Sequence, residues 1–288
     1  MRRRITTMLS VTAVLALVPA GGAMAAPGPG GHHGKSGQHA MQWYLALGDS
    51  LAAGFQPGQG DDKTGGYAGP VLADLQQNQG KTKLVNLGCS GETTTSMMDG
   101  TKCSYEDGSQ LAQAVSFLKA HKNKVRMVTL DLGSNDVLGC VSKETGIDGE
   151  CVKNALGGIA TNLPAILGQL RAASPHTRIV VLNYYDPILA AWLQGDTGKT
   201  IAELSVTLLQ LINGVIAGAA KGVNASTADV AGAFSTNDWR TTTVPGLGEV
   251  PTNVARICEW TWMCTEGNIH PNDTGYGVLA DAVEPYTH

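Results

Sequence analysis

Four short segments of this chain hold side chains that could do chemistry together. Gly48-Asp49-Ser50 offers a hydroxyl behind a glycine that permits a tight turn, although the same three residues make a good turn or helix N-cap. Asn86-Leu87-Gly88-Cys89-Ser90-Gly91-Glu92-Thr93-Thr94 is a Gly-rich stretch. Backbone N–H groups in such a turn can point at an anion, and a glycine needed only for positive φ reads identically. Gly133-Ser134-Asn135-Asp136 supplies a side-chain amide donor, and Asn268-Ile269-His270-Pro271 brings an imidazole to the lip of a predicted helix. Each segment is ambiguous alone. As a set, a hydroxyl, a backbone donor, an amide donor and a late histidine are what nucleophilic acyl transfer needs.

Such groups must be positioned by regular elements, and the hydrophobic pattern supplies them. Apolar runs at Trp43 to Leu47, Leu84 to Leu87, Val125 to Leu130, Arg178 to Leu182 and roughly Ala228 to Phe234 read as strands. Helical periodicity lies between them. Leu111, Ala114, Val115 and Leu118 share a face, as do Ile159, Leu163, Ile166, Leu167 and Leu170, and so do Ile201, Leu204, Leu208, Leu211, Ile212 and Val215. Nearly all-apolar strands, each followed by a helix whose apolar face must be covered, predict a doubly wound α/β domain, a parallel sheet with helices on both faces. In that class the ligand site lies outside the carboxyl ends of the strands, and each of the four segments falls at or beside such an end.

The four blocks, in this order and spanning Leu47 to about Val283, resemble the SGNH or GDSL hydrolase family of esterases and lipases. The resemblance implies a flavodoxin-like, five-stranded parallel sheet. It also implies Ser50 as nucleophile, His270 as general base, and an oxyanion hole made of the Ser50 N–H, the Gly91 N–H and the Asn135 amide, with no metal or organic cofactor. The family places an aspartate three residues before the histidine, where this chain has Gly267. Two orienters of the imidazole are therefore expected, Glu266 from its shifted position or a main-chain carbonyl near Gly267, the second giving a Ser–His dyad. Substrates are expected to be carboxylic esters with lipid-like acyl chains, phospholipids among the candidates. Tyr184 to Leu193 is a candidate acyl wall, and Trp260, Trp262 and Met263 are a candidate rim.

Residues 1–25 read as a secretory signal: Arg2, Arg3 and Arg4, an apolar stretch from Met8 to Val18, and the small-residue pattern Ala23-Met24-Ala25. No other segment offers about 20 apolar residues free of charges or polar breaks, so no stable membrane anchor is expected. Residues 26–40, APGPGGHHGKSGQHA, form a leader with nothing to bury, which leaves one hydrolase domain over 41–288. Six cysteines suit an oxidising destination outside the cell. Fifteen pairings are open, and short-loop closure favours Cys89 with Cys103, Cys140 with Cys151, and Cys258 with Cys264. Without the arginine cluster the chain has 17 basic against 24 acidic residues, which argues against a nucleic-acid partner; a monomer is expected. Two rivals remain. A metal-dependent phosphoesterase could use Asp49, Asp131, Asp136, Asn135 and His270, and a secreted binding protein could keep the fold without catalysis.

Overall fold

The computed structural model describes residues 41–142 and 146–288; the expected signal segment and leader lie outside the described residues. Five strands, β1 (Gln42–Gly48), β2 (Thr82–Asn86), β3 (Val125–Asp131), β4 (Arg178–Leu182) and β5 (Ser226–Ala228), form one parallel sheet. Their spatial order is β2-β1-β3-β4-β5. Leu45 of β1 pairs with Val85 on one side and with Val128 on the other. Tyr44, Leu45, Ala46 and Leu47 have no exposed surface, as a strand covered on both faces requires.

The chain runs from β1 outward to β2, then crosses back to β3 and continues the other way. β1 and β3 therefore flank the topological switch point, where a crevice opens at their carboxyl ends. Around the sheet lie α1 (Ala68–Gln79), α2 (Thr94–Asp99), α3 (Gln110–Ala120), α4 (Ser134–Leu138), α5 (Gly149–Ala173), α6 (Asp196–Gly222), α7 (Val230–Ala233), α8 (Thr252–Trp260), α9 (Met263–Glu266) and α10 (Asp273–Val283). α1 packs on α10, while α3, α5 and α6 pack in a row. Ser109, Asp148 and Asn272 cap α3, α5 and α10 by accepting from backbone N–H groups of the first turn. Disulfides join Cys89 to Cys103, Cys140 to Cys151, and Cys258 to Cys264.

Two expectations from the pattern need correction. The last strand is three residues long and ends at Ala228, because Asp229 accepts from Gly232 N–H and caps a helical turn over Val230–Ala233 where a strand was expected. The apolar stripe of α6 is only partly covered. Ile212 is buried, but Ile201 is 38%, Leu204 56% and Leu211 55% exposed, since the helix seats on the protein through Ala202, Ser205, Val206 and Ile216. α6 is also, by length and composition alone, apolar enough to cross a membrane, contrary to the expectation that no second segment would be.

Candidate active site

Ser50 is the second residue after β1, on a turn whose position is set by contacts from three distant elements. Gly48 has φ +129°, and a Cβ there would strike the Asp131 carbonyl, so the close approach of β1 and β3 requires glycine. The buried Gln110 side chain clamps the same residue, accepting from Gly48 N–H at 2.7 Å and donating to its carbonyl at 3.0 Å. Asp131 Oδ1 accepts from the N–H groups of Asp49 and Ala52, each at 3.1 Å, while its Oδ2 lies 2.6 Å from the Tyr67 hydroxyl. Asp49 Oδ1 accepts from Leu51 N–H at 2.9 Å and Oδ2 from the Tyr184 hydroxyl at 2.7 Å. Both carboxyls are held above the ordinary carboxylate range, chiefly by burial; the Asp49 charge adds to the rise at Asp131, which is pushed well up.

The His270 ring meets Ser50 across this turn, with Nε2 2.8 Å from Ser50 Oγ. Its other nitrogen, Nδ1, lies 2.7 Å from Asn268 Oδ1, which also accepts from His270 N–H at 3.0 Å. This arrangement corrects the expected orienters. Glu266 is exposed at the end of α9, and Gly267, at φ +64°, reverses the chain so that the next side chain, Asn268, folds back in an Asx turn onto the imidazole. An asparagine two residues before the histidine was the sequence signal for it. Tyr185 donates to the Ile269 carbonyl at 2.6 Å and fixes the same loop from the β4 exit. The Phe55 ring lies 4.5 Å from the imidazole, centroid to centroid. Burial lowers the His270 pKa to about 4, against a smaller opposing effect of Asp61, so the ring is neutral at neutral pH.

Asn135 lines the Ser50 pocket from the β3 exit, whereas Gly91, on the loop after β2, is not among the residues that line it. Gly91 has φ +80° and belongs to the loop tethered by Cys89–Cys103. Neither its N–H nor that of Ser50 reaches an acceptor among the described residues. Asn135, on the first turn of α4, donates one amide hydrogen to the Glu92 carbonyl at 2.9 Å, which sets the side chain's orientation. Asp136 accepts from Thr94 N–H and Thr94 Oγ1 and so ties α4 to α2.

Ser50, Asn135, Tyr184, Tyr185, Ile269 and His270 line one small pocket, and through Ser134, Leu138, Tyr185 and Pro187 it adjoins an apolar cleft reaching Ile188, Leu208, Leu209 and Ile212. The expected wall from Tyr184 onward thus contributes its first residues. The expected aromatic rim does not line this pocket. Trp260 packs edge-on against Phe234, and Trp262 donates its Nε1–H to Gln56. A roomier cavity lies among Gln42, Arg126, His176, Arg178 and His288, away from all of these residues. Among the described residues no group of three or more His, Cys, Asp or Glu is arranged to hold a metal ion. Asp49, Asp131 and Asp136 are each engaged by hydroxyls and backbone N–H groups instead.

A parallel sheet with a serine and a neutral histidine in contact at its switch point is the architecture of an ester hydrolase. The chain belongs to the GDSL-like lipase/acylhydrolase family, whose model matches residues 46–278. Among solved structures it is similar to phospholipase A1 from Streptomyces albidoflavus, with 19% identity and a TM-score of 0.52 over 85% of this chain and 99% of that one. An extracellular lipase from Streptomyces rimosus gives 21% identity and a TM-score of 0.50 over 84% and 99%. An acetyl-xylooligosaccharide esterase from Geobacillus gives 16% and 0.51 over 85% and 94%. No curated protein sequence matches the chain.

Proposed function

We propose that this protein is a secreted serine ester hydrolase that works through an acyl-enzyme. The observation that carries the reading is the 2.8 Å contact between Ser50 Oγ and His270 Nε2, with the ring neutral and its far nitrogen held by Asn268. His270 takes the Ser50 proton as Oγ attacks the ester carbonyl. The oxyanion is held by the N–H groups of Ser50 and Gly91 and by the Asn135 amide. Collapse transfers the proton from His270 to the leaving alcohol and leaves Ser50 acylated; water, deprotonated by the same imidazole, then releases the acid. Asn268 orients the ring and accepts from the Nδ1–H of the imidazolium that forms. Being neutral, it stabilises that cation less than a carboxylate would.

Acyl chains of several carbons suit the apolar cleft that runs from the pocket to Leu208 and Ile212. Export is supported by the signal pattern of residues 1–25 and by the three disulfides. The test is hydrolysis of a p-nitrophenyl ester series by wild type, Ser50→Ala and Asn135→Ala, with and without chelator. Turnover is expected to survive chelator, to favour octanoyl over acetyl esters, to fall by at least about 10⁴-fold without Ser50, and to fall by about 10²- to 10³-fold without Asn135. Activity that persists in Ser50→Ala, or that chelator removes, overturns the reading.

A further inference from the structure

The outer helices of a water-soluble domain usually carry charge on the face they turn to solvent. Here two neighbouring helices do not. Between Lys153 and Arg171, α5 has no charged residue, and between Glu203 and Lys221, α6 has none. The two pack side by side. What they expose is alanine, glycine, a few neutral polar groups, and Leu204 and Leu211, which are more than half exposed. Only 33% of the most apolar stretch of α6 is buried. Isolated exposed leucines mean little, but an uncharged face spanning two helices does.

We propose that this α5–α6 face seats the protein on the surface of aggregated ester lipid, a micelle or a bilayer with neutral or zwitterionic headgroups. The inference rests on Ser50 as the site of acyl transfer, and continuity identifies the occupant. Leu208 lies on α6 between Leu204 and Leu211, and with Leu209 and Ile212 it lines the apolar cleft that adjoins the Ser50 pocket. Leu193 and Ile201, 40% and 38% exposed, extend the apolar surface at the same end of α6. A protein partner covering Leu204 and Leu211 would crowd the lip of that cleft, whereas a lipid surface presents acyl chains at it. Binding of this kind scales with the apolar area buried and needs no specific hydrogen bonds.

The test uses the full mature chain with phosphatidylcholine vesicles, comparing wild type with the double variant Leu204→Glu, Leu211→Glu. Both positions are exposed, and neither side chain lines the pocket that holds Ser50 and His270. Wild type is expected to co-float with vesicles. The variant's partition coefficient and its turnover of vesicle lipid are expected to drop tenfold or more, while turnover of monomeric p-nitrophenyl butyrate stays within twofold, which also reports an intact fold. Failure of wild type to bind vesicles, or equal binding by the variant, overturns the proposal. So does a wild-type dimer in light scattering that the variant dissociates, since the face then meets a second copy of the chain. If no soluble ester is turned over, the hydrolase reading fails separately, and flotation still decides the docking face.

Discussion

The turn that carries Ser50 and the turn that carries His270 are held in opposite ways. The serine turn is fastened by residues far away in sequence: Gln110, 62 positions from Gly48, Asp131, 82 from Asp49, and Tyr184, 135 from Asp49. The histidine turn closes on its own ring through Asn268, two positions away, in an Asx turn, while Tyr185, 84 positions from Ile269, and the Trp262 N–H on the His270 carbonyl tie its backbone to the protein. The nucleophile's position is therefore a product of the whole sheet, whereas the orientation of the imidazole within its turn is set by a side chain two residues away. Damage to the first should register as lost stability together with lost activity, and damage to the second as lost activity alone.

Removing Asp131 should break the serine side hardest. Asp131→Ala leaves the Ala52 N–H and the Tyr67 hydroxyl without their carboxyl partner, at about 1–3 kcal/mol for each buried group. The expected loss of about 2–6 kcal/mol corresponds to roughly 4–24 °C in Tm, at about 2–4 °C per kcal/mol. Asp131→Asn keeps an amide oxygen that can accept from the Asp49 and Ala52 N–H groups, and should cost less than the alanine variant. Thermal unfolding of the two variants checks both statements.

On the histidine side, Asn268→Ala should lower kcat by roughly 10- to 100-fold, since a hydrogen bond to a charged group is worth about 1.5–3 kcal/mol, with little change in Tm. Asn268→Asp should act through pH. Burial lowers the His270 pKa from the ordinary 6.5 to about 4, so the base is available above about pH 4. The unfolded chain takes up this proton first as pH falls, so the same shift removes stability between about 6.5 and 4. A carboxylate beside Nδ1 favours the imidazolium and should move the acid limb of kcat/KM upward by about one pH unit or more. Smallest of all, Glu266→Gln should change turnover less than about twofold, because Glu266 is exposed and makes no contact with the ring.

The same contrast explains what was legible in the sequence. The parallel sheet was readable because strands covered on both faces are almost wholly apolar, as in Tyr44 to Leu47. The four chemical blocks stood out because each carries its turn residues with it. The clamp of Gln110, Tyr67 and Tyr184 was not readable: its members become neighbours only once the strand order is known, and none sits in a recognisable spacing. Asn268 is legible as an Asx-turn residue, but the family pattern points to a carboxylate at position 267, where this chain has glycine. The exposed stripe of α6 misled for a different reason, since periodicity marks which side chains share a face and cannot say whether anything covers it.

The most direct test of the Ser50–His270 account is covalent capture by a fluorophosphonate ester, followed by intact mass and peptide mapping. The account predicts a single adduct on Ser50, absent in Ser50→Ala and slowed by orders of magnitude in His270→Ala. No adduct on the wild-type protein, or one mapped to another residue, would contradict it.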